Sequence, residues 1–162
     1  MTTNRREVLA ATLAAAGVAA TAHSAGAEPA VPAFDSADAA AVRQAALDYV
    51  EGWYEGSAER MARALHPDLH KRIVEKDPTS GRDRLREMNA ETLVGYTRDG
   101  GGTRTPTASR QKDVTIFDIY RDEASARVVF LEWVDYLHLA RFNGRWLIVN
   151  VLWQYKPTAS AK

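Results

Sequence analysis

The chain contains no cysteine. Disulfides, thiolate metal sites, a cysteine nucleophile and an N-terminal lipid-modified cysteine are therefore excluded. Nor is there an excess of charge of either sign, since 21 Lys and Arg stand against 21 Asp and Glu. A chain near neutrality has no broad field to draw nucleic acid or an anionic membrane, and neither is expected as a partner. Arg82, Arg84 and Arg86 alternate with acidic or apolar residues, which reads as a solvated strand face rather than a basic patch. There is no Gly-x-Ser-x-Gly elbow, so a serine triad cannot be argued. The glycine run Gly100-Gly101-Gly102 opens an irregular loop with no following Gly-Lys-Ser/Thr, and so is not a phosphate cradle. The apolar run at residues 8–22 is alanine-rich and shorter than the ~20 strongly apolar residues of a spanning helix.

That run has another reading. Arg5-Arg6 precedes it and Ala25-Gly26-Ala27 follows it. A charged start, an apolar middle and a small-residue site are the parts of an export signal. The adjacent arginines, with Val8-Leu9 just after Glu7, resemble a twin-arginine signal, the general secretory route being the alternative. The expectation is an export signal over residues 1–27, a Pro- and Ala-rich tether over 28–35, a domain over 36–157 and a tail over 158–162. The expected location is periplasmic or secreted, with no membrane attachment after signal cleavage.

The domain begins with Asp35 or Ser36, either of which can cap a helix. Ala41, Val42, Ala45, Ala46, Tyr49, Val50 and Trp53 follow at three- and four-residue spacing, the apolar stripe of a helix of about five turns. Gly56 ends it and Ser57 caps a short second helix, which stops at His66-Pro67-Asp68 because Pro67 disfavours helix in the residue before it. Residues 69–75 and 82–88 read as strands about a turn, and Asn89 caps a third helix. Residues 113–121, 126–141 and 145–156 read as three long strands. Asn143-Gly144 joins the last two, a pair that tolerates the positive φ of a type I′ hairpin. Helices first and antiparallel strands after indicate an α+β domain with a curved sheet, able to wrap a pocket.

Alternation sorts the long strands. In the second, Val128, Phe130, Glu132, Val134, Tyr136, His138 and Ala140 share one side; Val129, Leu131, Trp133, Asp135, Leu137 and Leu139 share the other. In the last, Trp146, Ile148, Asn150, Leu152 and Gln154 stand against Leu147, Val149, Val151, Trp153 and Tyr155. Both sides carry apolar residues, so either can line a pocket while the other packs on a partner. Trp53, Trp133 and Trp153 can stack on a planar ring or fill a core, and with Tyr54 and Asn150 they are the candidate ligand contacts. His66, Asp68 and His70 have the look of a metal cluster, but Pro67 breaks the helix that would bring the histidines to one face. No metal site is expected.

Residues 46–53 (Ala-Leu-Asp-Tyr-Val-Glu-Gly-Trp), 65–69 (Leu-His-Pro-Asp-Leu) and 134–150, with this order of elements, resemble the NTF2-like superfamily. Within it the chain is similar to the putative lumazine-binding group. The resemblance implies a cone in which three N-terminal helices pack on a curved antiparallel sheet. It also implies a mainly apolar pocket for a small organic ligand, and a homodimer. No cofactor is implied, although a lumazine- or flavin-like ring would suit three tryptophans. The superfamily holds enzymes, adaptors and binding proteins, so the fold by itself argues no reaction. The leading expectation is an exported small-molecule-binding protein. One alternative is an isomerase- or dehydratase-type enzyme. There His138 is similar in position to the oxyanion-stabilising acid of ketosteroid isomerases, with His in place of Asp. Asp77, in Glu75-Lys76-Asp77-Pro78, resembles the loop carrying the general base, though Asp-Pro is also an ordinary turn pair. Tyr49 would assist. Another alternative is a protein-interaction module that works through an open sheet face.

Overall fold

The computed structural model describes residues 36–157. The expected signal, tether and tail lie outside the described residues. Helix α1 (Ser36–Glu55) follows its stripe: Val42, Ala45, Ala46, Tyr49 and Val50 are buried, and Trp53 is half-buried. Gly56 ends it at φ +67°, a conformation that costs glycine little. Ser57 Oγ then accepts from the Arg60 N–H at 3.3 Å and starts α2 (Ala58–Ala64). Pro67 stops the helix, yet the chain runs on as strand β1 (Leu65–Lys76), irregular between Leu65 and His70 where register shifts. A hairpin leads into β2 (Asp83–Met88), and the Asn89 side chain accepts from Thr92 N–H at 2.9 Å to cap α3 (Ala90–Arg98). A glycine-containing loop and one 3-10 turn (Thr107–Ser109) lead to β3 (Asp113–Tyr120).

The expected long strand over 126–141 is two strands, β4 (Glu123–Val129) and β5 (Trp133–Phe142). The chain reverses through Phe130, Leu131 and Glu132, closed by Phe130 N–H donating to Trp133 O at 2.9 Å. No Gly, Pro, Asn or Asp marks this reversal, which is why the sequence reads straight through it. Tyr54 Oη on α1 accepts from Leu131 N–H at 2.9 Å and holds the turn against the helix. The Asn143-Gly144 turn forms as expected, with φ +50° and +78°, and opens β6 (Arg145–Tyr155).

The six strands run in the order β2-β1-β6-β5-β4-β3. Neighbours are antiparallel except β1 and β6, which are parallel, so the sheet is mixed rather than wholly antiparallel. After α3 the chain crosses to the far edge at β3, and three successive reversals bring β6 back beside β1 in the same direction. The inner face carries Ala126 and Val128 from β4, Leu137 and Leu139 from β5, and Ile148 and Val151 from β6, all fully buried with α1 residues. Each large apolar side chain buried in this way stabilises by roughly 1.5–3 kcal/mol before entropy is counted. The outer face carries Phe117, Tyr136 and Leu152 in the open.

β6 departs from plain alternation. His138 pairs with Asn150 and Leu139 with Ile148, leaving Val149 as one extra residue. The bulge puts Trp146 and Ile148 on the same inner face as Val151 and Trp153, and turns Asn150 outward to His138, 3.2 Å away. Trp146 then reaches the start of α1, where its Nε1 and the Arg141 guanidinium both donate to Asp38 Oδ1, at 3.2 and 2.9 Å.

Candidate ligand-binding site

A cavity of about 180 Å³ lies between the helices and one end of the sheet. Each wall follows from a local rule. Tyr49 and Trp53 are one turn apart on the buried stripe of α1. Lys71 is the inward residue between Leu69 and Ile73 on β1. Arg86 and Met88 come from β2, and Leu93 and Tyr96 from α3. Phe130 and Trp133 flank the β4–β5 reversal, and Trp153 and Tyr155 end β6. Tyr96 and Tyr155 are more than half exposed and form the rim.

The aromatic wall is continuous. Phe130 stacks on Trp133 with centroids 4.9 Å apart, and Trp133 meets Trp53 and Trp153 edge to face at 5.8 and 6.1 Å. Trp53 is fixed from behind by the glycine loop. Gly102 N–H donates to Trp53 O at 2.9 Å, and a Cβ at Gly102 would lie 2.6 Å from the indole. Only glycine allows that approach.

The floor is a buried ionic cluster. Lys71 Nζ donates to Asp135 Oδ2 and to Tyr49 Oη, each at 2.7 Å, and Tyr49 Oη donates to the same Asp135 oxygen at 2.5 Å. The Asp135 side chain has no exposure and that of Lys71 only 7%. Burial lowers the Lys71 amine below its ordinary value, against the pull of the Asp135 charge. Burial, with the Asp135 charge beside it, raises the Tyr49 phenol well above its ordinary value. Lys71 Nζ also lies 4.8 Å from the Trp153 ring centre, and the Arg86 guanidinium 5.6 Å from it. Arg86 Nε is held by Glu75 at 2.7 Å.

The sequence-derived candidates divide. Trp53, Trp133 and Trp153 line the cavity, and Tyr49 lies in its floor. Tyr54 stands behind it and faces a neighbouring groove. Asn150 is on the outer face, because the β6 bulge moves it there. His138 is on that outer face too. Asp77 sits in the β1–β2 turn, where its Oδ1 accepts from Thr79 N–H, Ser80 N–H and Ser80 Oγ at 3.1, 2.7 and 2.9 Å. The Ser80 backbone bond above all holds its carboxyl below the ordinary range, which makes it a weak base. Asp77, His138 and Tyr49 are thus not brought together. His66 lies against Phe142, 4.3 Å between ring centres, while His70 pairs with Glu87 at 2.6 Å. Among the described residues no group of acidic and histidine side chains could hold a metal ion, and no helix is long and apolar enough to cross a membrane.

Lys71, Asp135 and Arg86 were not among the sequence-derived candidates. The signal for the first two is a charged residue at an inward position between apolar ones: Leu69-x-Lys71-x-Ile73 and Trp133-x-Asp135-x-Leu137. Each reads as an anomaly alone and as a pair only once β1 and β5 face one cavity.

Comparisons with known proteins agree with this architecture. The model of the family described as "Putative lumazine-binding" matches residues 37–154. The chain belongs to that family. A crystal structure of an NTF2-like protein of unknown function from Shewanella baltica OS155 is similar at TM-score 0.59 and 17% identity, over 78% of this chain and all of that one. A second, from Methylobacillus flagellatus KT, is similar at TM-score 0.58 and 21% identity, over 77% of this chain and 97% of that one. At these identities the likeness establishes an NTF2-like fold and nothing of activity. No curated protein matches the chain.

Proposed function

We propose that this member of the lumazine-binding family is an exported small-molecule-binding protein that holds a planar organic ligand in the aromatic cavity. The observation that carries this reading is the wall of three tryptophans and Phe130 around a space open at the Tyr96–Tyr155 rim. Aromatic faces stack on flat rings, and a concave apolar site with a few polar groups is the ordinary form of a ligand pocket. A lumazine- or flavin-like ring is the candidate that the family description suggests. The arginine pair, apolar run and Ala25-Gly26-Ala27 site of the sequence are what support export. The test is native mass spectrometry with an absorbance scan on the mature protein purified from its own host. A bound heterocycle of defined mass is the expected result. A protein that comes out empty, and whose tryptophan fluorescence answers to no member of a panel of planar compounds, would overturn the reading.

The open sheet face favours a second element of the proposal, a homodimer. Phe117 stacks on Tyr136 at 6.2 Å between ring centres, with Leu152 paired beside Tyr136, and all three are about half exposed. Covering such a patch is favourable, and a second copy of the chain presents the same patch in return. The isomerase reading loses its geometry, because Asp77 and His138 do not face the cavity.

A further inference from the structure

The cavity is rich in donors and poor in acceptors. Its charged wall residues are Lys71 and Arg86, and no Asp, Glu, Asn or Gln lines it. Lys71 directs two of its three ammonium donors at Asp135 and Tyr49, and the third has no hydrogen-bond acceptor among the described residues. The Arg86 guanidinium holds Glu75 through Nε and makes no other hydrogen bond among the described residues. Behind the wall, the indole N–H groups of Trp133 and Trp153 and the second Asp135 oxygen, Oδ1, are fully enclosed with no partner among the described residues, and none of them is open to the cavity. Lys71 and Arg86, each with donors to spare beside one space, point to a ligand that supplies acceptors. The two cations point to one that also carries negative charge.

Size narrows the class. The space of about 180 Å³ is little more than the roughly 150 Å³ cavity known to hold benzene. It takes one ring with its substituent, and anything larger extends through the rim.

We propose that the cavity selects an aromatic carboxylate, the ring lying against the tryptophans and the carboxylate accepting from Lys71 and Arg86. This deepens the ligand-binding reading above and rests on it. Asp135 is the groundwork of the site: it keeps the Lys71 head at the cavity floor without offering a carboxylate to the ligand. The donors facing the cavity offer nothing to an amine, and a neutral ring forms no ion pair with either cation.

The test is a fluorescence titration of the full chain with benzoate and with benzamide, which match in shape and differ in charge. Benzoate is expected to bind at least about tenfold more tightly, because both probes can accept from the cations and only the carboxylate forms an ion pair with them. Arg86→Gln, a change at a partly exposed residue that leaves the buried pair alone, should bring that ratio several-fold closer to one. Equal affinity for the two probes would overturn the charge selection and leave the ligand-binding reading standing. An unchanged ratio in Arg86→Gln would also overturn the proposal as drawn. If neither probe nor any larger planar compound binds, both readings fall.

Discussion

Asp135→Asn is expected to be among the most damaging single changes in this protein. Asparagine keeps the shape and volume of the side chain, so packing is preserved and the change is almost purely one of charge. Lys71 would then be a buried ammonium with no counter-charge within hydrogen-bond reach, since its other partner is the neutral Tyr49 phenol. Breaking a buried ion pair from one side costs about 3–5 kcal/mol. For a domain of this size that is a fall in melting temperature on the order of 10–20 °C. Replacing both partners, Lys71→Met with Asp135→Leu, removes the ionic desolvation and should recover much of that loss, short of the roughly 1–3 kcal/mol for leaving the buried Tyr49 hydroxyl without a partner. The sign of the pH dependence is a further check. Without Asp135, burial and the nearby Arg86 charge act on Lys71 unopposed, and both push its folded pKa further below the ordinary 10.5. The folded state then binds fewer protons than the unfolded one, so stability rises with pH across the window between the two values. The Asp135→Asn deficit should shrink as the pH is raised from about 7 to about 9. Urea unfolding followed by tryptophan fluorescence compares the wild type with both variants. A single-variant loss under about 1 kcal/mol, or a double variant as unstable as the single, would refute the argument.

Two other predictions are independent of that cluster. Gly102→Ala should loosen the loop from Trp53, because its Cβ would lie 2.6 Å from the indole. A shifted Trp53 emission with a lower urea midpoint is expected, and an unchanged spectrum would count against the contact. Asp48 is held below its ordinary value chiefly by the hydrogen bond from Arg63, and Glu51 by that from Lys112. A lowered carboxyl contributes stability above the unfolded pKa and loses it as pH falls through the folded one, so the urea midpoint should hold from about pH 7 to 5 and drop below about 4. An Asp48→Asn variant with the same acid limb would remove Asp48 from that account.

The elements that were legible in the sequence are those set by short-range chemistry. The α1 stripe, the Ser57 and Asn89 caps, the Gly56 stop and the Asn143-Gly144 hairpin each depend on residues within a few positions of one another. The β4–β5 reversal was not legible, because it is held by Tyr54 from another element and carries no turn residues of its own. The β6 bulge was not legible either: one extra residue, Val149, is chosen by how β6 must meet both β5 and the core. That single residue decides that Asn150 faces outward and Trp153 inward.

By itself, then, the sequence determined the order of helices and strands apart from the β4–β5 reversal, the family and the expectation of export, because periodicity, caps and turn pairs act locally along the chain. Only the tertiary structure decided which face of the sheet holds the cavity, that β1 lies parallel to β6, and that Lys71 meets Asp135 across 64 positions of chain. A charge buried in a strand has no meaning until its partner is known. The partner is chosen by the packing of the whole sheet and not by anything within reach of the residue in sequence.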